Sequence, residues 1–204
     1  LLFVAGSIVS QPAYEHAFAI DEHLYDVVYK PISNRHTWMV FPMILRPKSR
    51  GRITLKSNDP LEKPLIYANN FIDGGHDEKI ILYGIRKVIE LSKTKAFQIY
   101  GSKLHDIPIP KCANLKFGSD LYWKCAMKTI TNTIYHHCCT AKMGPRSDPE
   151  AVVDARLKVY GIAGLRVVDA SIMPHIPAAH TNAPTMMIAE KAADMIKEDW
   201  GISI

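Results

Sequence analysis

Residues 180–196 read HTNAPTMMIAEKAADMI and form the best-defined element of the sequence. Pro184 suits a first helical turn because its missing N–H would have no partner there, and Asn182 is placed to cap the free amides. Apolar residues then share one helical face and charged residues the other: Ile188, Ala192, Met195 and Ile196 against Glu190, Lys191, Asp194 and Lys197. The pattern predicts an amphipathic helix whose positive end points toward His180 and suits an anion; an ordinary capped surface helix is the alternative.

Upstream, short runs of β-branched and aromatic residues bounded by turn formers predict strands. These are a buried strand in residues 1–10, two strands joined by a Pro/Ser/Gly turn in 38–55, and further strands in 65–71 and 165–169. Apolar residues at helical spacing predict helices over residues 77–92 and, after the cap Ser119, over residues 120–133. The chain is therefore expected to contain both short strands and helices.

Composition excludes several classes of protein. A chain of 204 residues that is 48% hydrophobic can bury the core of one domain, or of one domain and part of another. The net charge of +5 is spread along the chain, so no basic stripe indicates a nucleic-acid partner or an anionic bilayer. No apolar run reaches the roughly 18 residues of a membrane span. Residues 1–10 carry no initiator Met or basic region, so we expect a fragment of a longer protein.

Four cysteines, Cys112, Cys125, Cys138 and Cys139, are too few for a disulfide scaffold. We do not expect the adjacent Cys138 and Cys139 to bridge each other. Residues 136–139 supply the ligand types of zinc, but four consecutive residues cannot surround a tetrahedral ion, so no metal site is predicted.

Two histidines are candidates for chemistry, since each closes an apolar stretch at a turn: His136 within residues 135–144 and His180 within residues 179–185. Taken alone, both would have ordinary structural roles. The other histidines of interest are expected at the surface: His76, His105, His137 and His175. Arg46 and Arg50 are expected to pair with carboxylates or to cover a sheet.

Several stretches together resemble the glucose–methanol–choline (GMC) oxidoreductases, flavoenzymes that oxidise alcohols, and within them the insect glucose-dehydrogenase-like branch. The similar stretches are residues 2–7, 46–51, 57–60, 135–144, 152–174 and 180–196. The resemblance implies the family's C-terminal half, with an α+β fold in which an antiparallel sheet with helices on one face forms the substrate domain. It assigns residues 1–10 to a strand of the incomplete FAD-binding half, residues 11–150 to the substrate-binding domain and residues 151–204 to a C-terminal strand and helix that return to the FAD-binding domain.

The N-terminal FAD-binding part is expected to be absent. The family binds the adenosine pyrophosphate at an N-terminal G-x-G-x-x-G turn, and no such spacing exists among the eleven glycines. We therefore expect this chain alone to bind FAD poorly.

The resemblance also implies residue roles. His136 falls on the catalytic base, in a motif that usually reads Tyr-His-Pro-Val-Gly-Thr-Cys-Lys-Met-Gly, and His180 falls on the second catalytic position, where the family has His or Asn. The cofactor-binding positions implied are Tyr135, Asp169, Ala170, Thr181 and Asn182. The chain departs from the motif at His137, Cys138, Cys139 and Ala141. A glycine at position 139 would allow a backbone angle that a side chain resists.

These roles imply that His136 removes the hydroxyl proton while the alcohol carbon gives a hydride to flavin N5, with His180 orienting the same oxygen. The substrate would be an alcohol or sugar, and the acceptor a quinone or oxygen. Secretion is compatible with the resemblance, but localisation stays unknown. The alternative is a truncated or degenerate homologue that is not an enzyme and serves as a binding or scaffold protein.

Overall fold

A computed structural model describes residues 1–202, and these divide into two units. The first unit combines residues 1–50 with residues 69–132. The second unit combines residues 51–68 with the chain from residue 133 onward. The chain therefore leaves the first unit once, returns to it, and then completes the second unit.

The first unit is mainly helical. Its helices are α1 (Pro12–Ala17), α2 (Glu22–Leu24), α3 (His76–Ser92), α4 (Lys95–Gln98) and α5 (Asp120–Thr129), with a π-helical turn at Tyr25–Tyr29 and 3₁₀ turns at Ile8–Ser10, Lys30–Ile32 and Pro110–Cys112. Its strands β1 (Leu2–Val4) and β2 (Met39–Phe41) pair antiparallel, with Phe3 opposite Val40. Ser119 caps α5 by accepting a hydrogen bond from the Tyr122 N–H at 3.1 Å, as the sequence predicts.

The core of the first unit surrounds Tyr122, which is 2% exposed. Buried residues from α2, the π-helical turn, the start of the Pro110–Cys112 turn and α5 pack around it: Leu24, Val28, Ile109, Cys112 and Ala126. The Tyr122 hydroxyl accepts a hydrogen bond from the Ile109 N–H at 3.1 Å, so a buried backbone donor has its partner. Burial raises the pKa of Tyr122, which keeps the phenol neutral.

Asp77, in the first turn of α3, holds the segment that precedes residue 51. Its side chain is 2% exposed, and its carboxylate oxygens accept from the backbone N–H groups of Lys48 and Ser49 at 2.9 Å each. Burial is the largest single influence and raises the pKa of Asp77. The backbone hydrogen bonds from Lys48 and Ser49, with smaller contributions from the Ser49 side chain and His76, together lower this pKa below its ordinary value. Asp77 therefore acts as a charged anchor for this loop.

The second unit contains a strand pair and the long C-terminal helix. Strands β3 (Arg52–Thr54) and β4 (Leu65–Tyr67) pair antiparallel, and the Arg52 guanidinium lies 4.9 Å from the centre of the Tyr67 ring. Helix α6 spans Asn182–Asp199 and follows a 3₁₀ turn at Ala170–Ile172. Its buried face packs on a cluster that contains Val153, Leu157, Ile172, Met173, Ile188 and Ala192.

A network of ion pairs stabilises the C-terminal end of α6. The Asp199 carboxylate contacts Lys158, Arg166 and Arg156, and the Arg156 guanidinium also donates to Glu198 at 3.0 Å. Hydrogen bonds from Lys158 and Arg166, with a further one from Arg156, hold the pKa of Asp199 well below its usual range. The network lies at the helix C-terminus, where cations also interact favourably with the helix dipole.

The predicted α+β class is confirmed, and helices are found over residues 77–92 and 184–196, where the spacing places them. The helix predicted over residues 120–133 begins as predicted but ends at Thr129. The strands are shorter than predicted. Residues 1–10 hold a three-residue strand and a 3₁₀ turn. The two strands predicted in residues 38–55 exist, but β2 pairs with β1 and β3 pairs with β4.

Two local predictions are wrong, and a third is narrowed to one of its alternatives. Residues 165–169 form no strand, since only an isolated bridge joins Arg166 to Lys158. Asn182 is the first residue of α6 and the N-cap position is Thr181, whose side chain makes no capping hydrogen bond. Of the two roles expected for Arg50, pairing with a carboxylate is not observed, because its guanidinium donates to the backbone carbonyls of Pro47 and Ser49 at 2.6 and 3.0 Å.

Candidate active site

His136 and His180 lie side by side in the second unit. Nδ1 of His180 is 3.0 Å from Nε2 of His136, the ring centres are 5.0 Å apart, and the ring planes are inclined at 80°. The His136 ring is half-buried and the His180 ring is exposed. One of the two nitrogens must donate the hydrogen and the other must accept it, so the pair combines a donor and an acceptor at one point.

Backbone hydrogen bonds fix the segment that carries His136. The Cys139 N–H donates to the Ala170 carbonyl at 3.3 Å, Ala141 to Ser171 at 3.0 Å and Met143 to Ile172 at 2.8 Å. Residues 139–143 therefore run alongside the 3₁₀ turn at Ala170–Ile172. This pairing places the histidine segment against Ala170, one of the predicted cofactor-binding residues.

Asp169 holds that turn in place. Its Oδ1 accepts from the Ser171 N–H at 2.7 Å, which caps the 3₁₀ turn, while the residue as a whole is exposed. Asp169 therefore positions the backbone against which the His136 segment lies.

The backbone around His136 adopts an uncommon conformation. Ile134, Tyr135 and Cys139 have positive φ angles of 48°, 63° and 79°. Residues other than glycine seldom occupy this region, and such outliers are concentrated at functional sites. The angle at Cys139 is one that glycine adopts at no steric cost, and the resemblance places a glycine at that position.

Cys138 and Cys139 are bonded to each other, and Cys112 is bonded to Cys125. The expectation that the adjacent pair does not bridge is therefore wrong. The only signal in the sequence is the glycine that the resemblance places at position 139, since a glycine there is compatible with a positive φ angle. Both cysteines are half-buried.

The N-terminus of α6 lies two residues beyond His180. The side chain of the N-cap residue Thr181 makes no capping hydrogen bond. The backbone N–H groups of Asn182 and Ala183 are therefore suited to an anionic group. Asn182 itself is exposed and Thr181 is half-buried. Tyr135 is 68% exposed. All seven residues predicted for the site thus belong to the second unit, and the structure brings the two imidazoles into direct contact.

Lys142 is a further residue of this segment, and it is already engaged. Its ammonium lies 2.7 Å from an oxygen of Asp148 and 3.4 Å from one of Glu150. The hydrogen bond to Asp148 raises the pKa of Lys142, and the same contact lowers that of Asp148. Lys142 therefore holds the loop of residues 142–150 by ion pairs and is not a proton carrier.

Among the other histidines, His76, His137 and His175 are exposed, as predicted. His105 is not a surface group, since it is half-buried with Nε2 2.6 Å from the Val28 carbonyl. Within residues 1–202, no group of three or more His, Cys, Asp or Glu side chains is arranged to hold a metal ion. In the same part of the chain, no helix is both long and apolar enough to cross a bilayer.

An imidazole pair beside a helix N-terminus is suited to acid–base chemistry on a substrate that develops negative charge. Residues 47–189 match the family model described as GMC oxidoreductase. The chain therefore belongs to the GMC oxidoreductase family, which confirms the resemblance found in the sequence.

Two insect enzymes are among the similar proteins. Glucose dehydrogenase (FAD, quinone) of Drosophila melanogaster is 44% identical over 172 residues, covering 84% of this chain and 27% of that protein. Ecdysone oxidase of Bombyx mori is 39% identical over 165 residues, covering 79% and 23%. The chain thus spans about a quarter of the length of the curated relatives that it matches.

Two solved flavoenzyme-related structures are similar to this chain in fold and in sequence. The FAD-dependent oxidoreductase from Chaetomium thermophilum superposes with a TM-score of 0.66 at 31% identity, covering 78% of this chain and 26% of that one. The formate oxidase of Aspergillus oryzae has a TM-score of 0.64 at 32% identity, covering 76% and 26%.

Proposed function

We propose that this chain is the C-terminal part of an FAD-dependent oxidoreductase that oxidises the CH–OH group of an alcohol or sugar. The observation that carries the proposal is the 3.0 Å approach of His180 Nδ1 to His136 Nε2, on a segment aligned with the Ala170–Ile172 turn. The family membership supplies the reaction class. The domain assignment of residues 1–10, 11–150 and 151–204 stays a prediction.

His136 acts as the base. A hydride leaves an alcohol carbon readily only while the hydroxyl loses its proton, so a neutral imidazole must lie within hydrogen-bond reach of that oxygen. Nε2 of His136 is hydrogen-bonded to Nδ1 of His180. A substrate hydroxyl can bond to both of them only after one ring turns, because in the present arrangement they point at each other.

His180 orients the oxygen. Its exposed ring can turn at little cost, whereas the half-buried His136 lies close to the paired backbone of residues 139–143. We therefore assign the movement to His180 and the fixed position to His136. Holding the hydroxyl between two nitrogens aligns the C–H bond for transfer.

FAD fits the residues present. The uncapped amides of α6 at Asn182 and Ala183 can receive partial negative charge, and the half-buried Ala170 and Thr181 are small enough to let a planar group approach the backbone. Tyr135 and Asp169 complete the proposed set. When bound, FAD supplies the two-electron acceptor for the hydride. The name of the Drosophila glucose dehydrogenases favours a sugar substrate and a quinone acceptor for this chain.

The second candidate is a GMC homologue that has lost catalysis and serves as a binding or scaffold protein. The observation that favours it is the altered motif, in which His137, Cys138, Cys139 and Ala141 replace the usual residues.

The full-length gene product distinguishes the two functions. An enzyme purifies yellow, and its visible absorbance bleaches when an alcohol or sugar is added without oxygen. A full-length product that purifies colourless and takes up no added FAD would support the scaffold and overturn the proposed function.

A further inference from the structure

The bonded pair Cys138–Cys139 lies only two residues beyond His136, and the function proposed above makes no use of it. Adjacent cysteines close a small ring that includes their own peptide bond. Such a ring restricts the backbone at both residues. Both side chains are half-buried, so a small dithiol can reach the sulfurs.

The ring holds the backbone in a conformation that free cysteines would not prefer. Cys139 has a φ angle of 79°, in the region where a side chain is disfavoured. The N–H of this residue donates to the Ala170 carbonyl at 3.3 Å. Relaxation of φ at Cys139 turns that N–H, so the bond between the sulfurs and the hydrogen bond to Ala170 depend on each other.

A backbone change at Cys139 displaces the chain on its N-terminal side, where His136 lies. Beyond the pair, Ala141 and Met143 remain hydrogen-bonded to Ser171 and Ile172, and both cysteines pack against the buried cluster of the second unit. The C-terminal side of the pair is therefore fixed. Any relaxation at Cys139 moves the N-terminal side, which carries His136 and its contact with His180.

We propose that Cys138 and Cys139 form a reversible redox site whose reduction by a dithiol releases the segment that positions His136. A thiolate of the dithiol attacks one sulfur, and the other cysteine leaves as a thiolate and takes up a proton. The second thiol of the dithiol then expels the first cysteine, which is protonated in turn. The dithiol ends as a disulfide and the two cysteines end as thiols, so electrons and protons balance.

The redox reaction is independent of the proposed function, whereas its effect on catalysis rests on that function. Reduction misplaces His136 relative to the substrate hydroxyl. A displacement of about 1 Å costs up to about 100-fold in rate, so we expect hydride transfer to fall by between about 10- and 100-fold.

Dithiothreitol is the probe for the redox step. The full-length protein carrying Cys112→Ala and Cys125→Ala is equilibrated at defined ratios of reduced to oxidised dithiothreitol, alkylated, digested and analysed by mass spectrometry. We expect Cys138 and Cys139 to become alkylated together and to return to the bonded state on reoxidation. The proposal is overturned if both are alkylated before any dithiol is added, or if they resist reduction until the protein is denatured.

Two substitutions at one position test the conformational step. Cys139→Gly removes the bond but accepts a positive φ, so it should match the oxidised wild type and be insensitive to dithiothreitol. Cys139→Ala removes the bond without that freedom, so it should match the reduced wild type. The readouts are the rate of anaerobic flavin reduction by the alcohol and the ¹⁵N signals of the His136 and His180 imidazoles.

The outcomes separate the two proposals. Equal rates and equal imidazole signals in the oxidised and reduced wild type would overturn the redox site. If no form of the protein transfers a hydride, the proposed function fails, and the alkylation and imidazole signals still decide the redox site.

Discussion

Nδ1 of His180 lies 3.0 Å from Nε2 of His136, although 44 positions separate the two residues along the chain. The contact depends on two local structures, the backbone pairing of residues 139–143 with the Ala170–Ile172 turn and the chain direction that leads into α6. Under the proposed function, one of these two imidazoles acts as the base and the other as the orienting group for one substrate hydroxyl.

Substitution of His180 separates orientation from proton removal. His180→Ala should lower the rate of flavin reduction about 100-fold, because the hydroxyl loses one of its two partners. His180→Asn should lose only about 10-fold, since an amide still forms a hydrogen bond and the family resemblance places His or Asn there. Stopped-flow absorbance without oxygen measures both. His175→Ala, at an exposed histidine, is the control; an Ala variant as fast as wild type would contradict the role.

Tyr122→Phe should destabilise the protein by about 1–3 kcal/mol, because the Ile109 N–H would be left buried without its acceptor. Denaturant unfolding of the full-length protein measures the change. Tyr83→Phe removes a hydroxyl from a side chain that is 65% exposed and should have almost no effect. Equal effects of the two variants would show that the Tyr122 hydroxyl does not satisfy the Ile109 N–H.

The Asp199 network makes stability depend on pH. Because the folded-state pKa of Asp199 is lowered, its contribution is present above the ordinary pKa of about 3.9 and is lost as the pH falls below it. Asp199→Asn should therefore lower the unfolding midpoint at pH 7, and its difference from wild type should shrink below about pH 4. Asp194→Asn, whose carboxylate is 3.9 Å from Lys197, is the control with little effect at either pH. A pH-independent difference would contradict the assignment.

The Cys112–Cys125 bond closes a loop across 13 positions. Restricting the unfolded chain in a loop of this length is worth about 3 kcal/mol. The double variant Cys112→Ala/Cys125→Ala should lose about that much in denaturant unfolding. The matched control is Cys138→Ala/Cys139→Gly, whose bond joins neighbours and closes almost no chain. A larger loss in the control would show that loop closure does not explain the stabilisation.

The sequence predicts the helices of this chain well because their signals are local. The spacing of Ile188 and Ala192 predicts the face of α6 that is buried, and Ser119 predicts the start of α5. The strands are predicted less well. Each is three residues long and is defined by a partner distant in sequence, which a local pattern of apolar residues cannot identify.

The sequence motifs predicted the residues of the candidate site, but they did not predict its geometry. The residues around His136 and His180 indicate the family, but the contact between the rings depends on backbone pairing that no sequence pattern encodes. The Cys138–Cys139 bond was missed because it depends on the left-handed backbone at Cys139. The Asp77 anchor was missed for a related reason, since its partners are backbone N–H groups.

The rate of anaerobic flavin reduction in the full-length His136→Ala variant tests the central claim most directly. Removing a general base costs about 10²- to 10⁴-fold. We therefore expect FAD to remain bound, with an unchanged visible spectrum, while its reduction by the alcohol slows by at least about 100-fold. Reduction at the wild-type rate with FAD bound would contradict the assignment of His136 as the base.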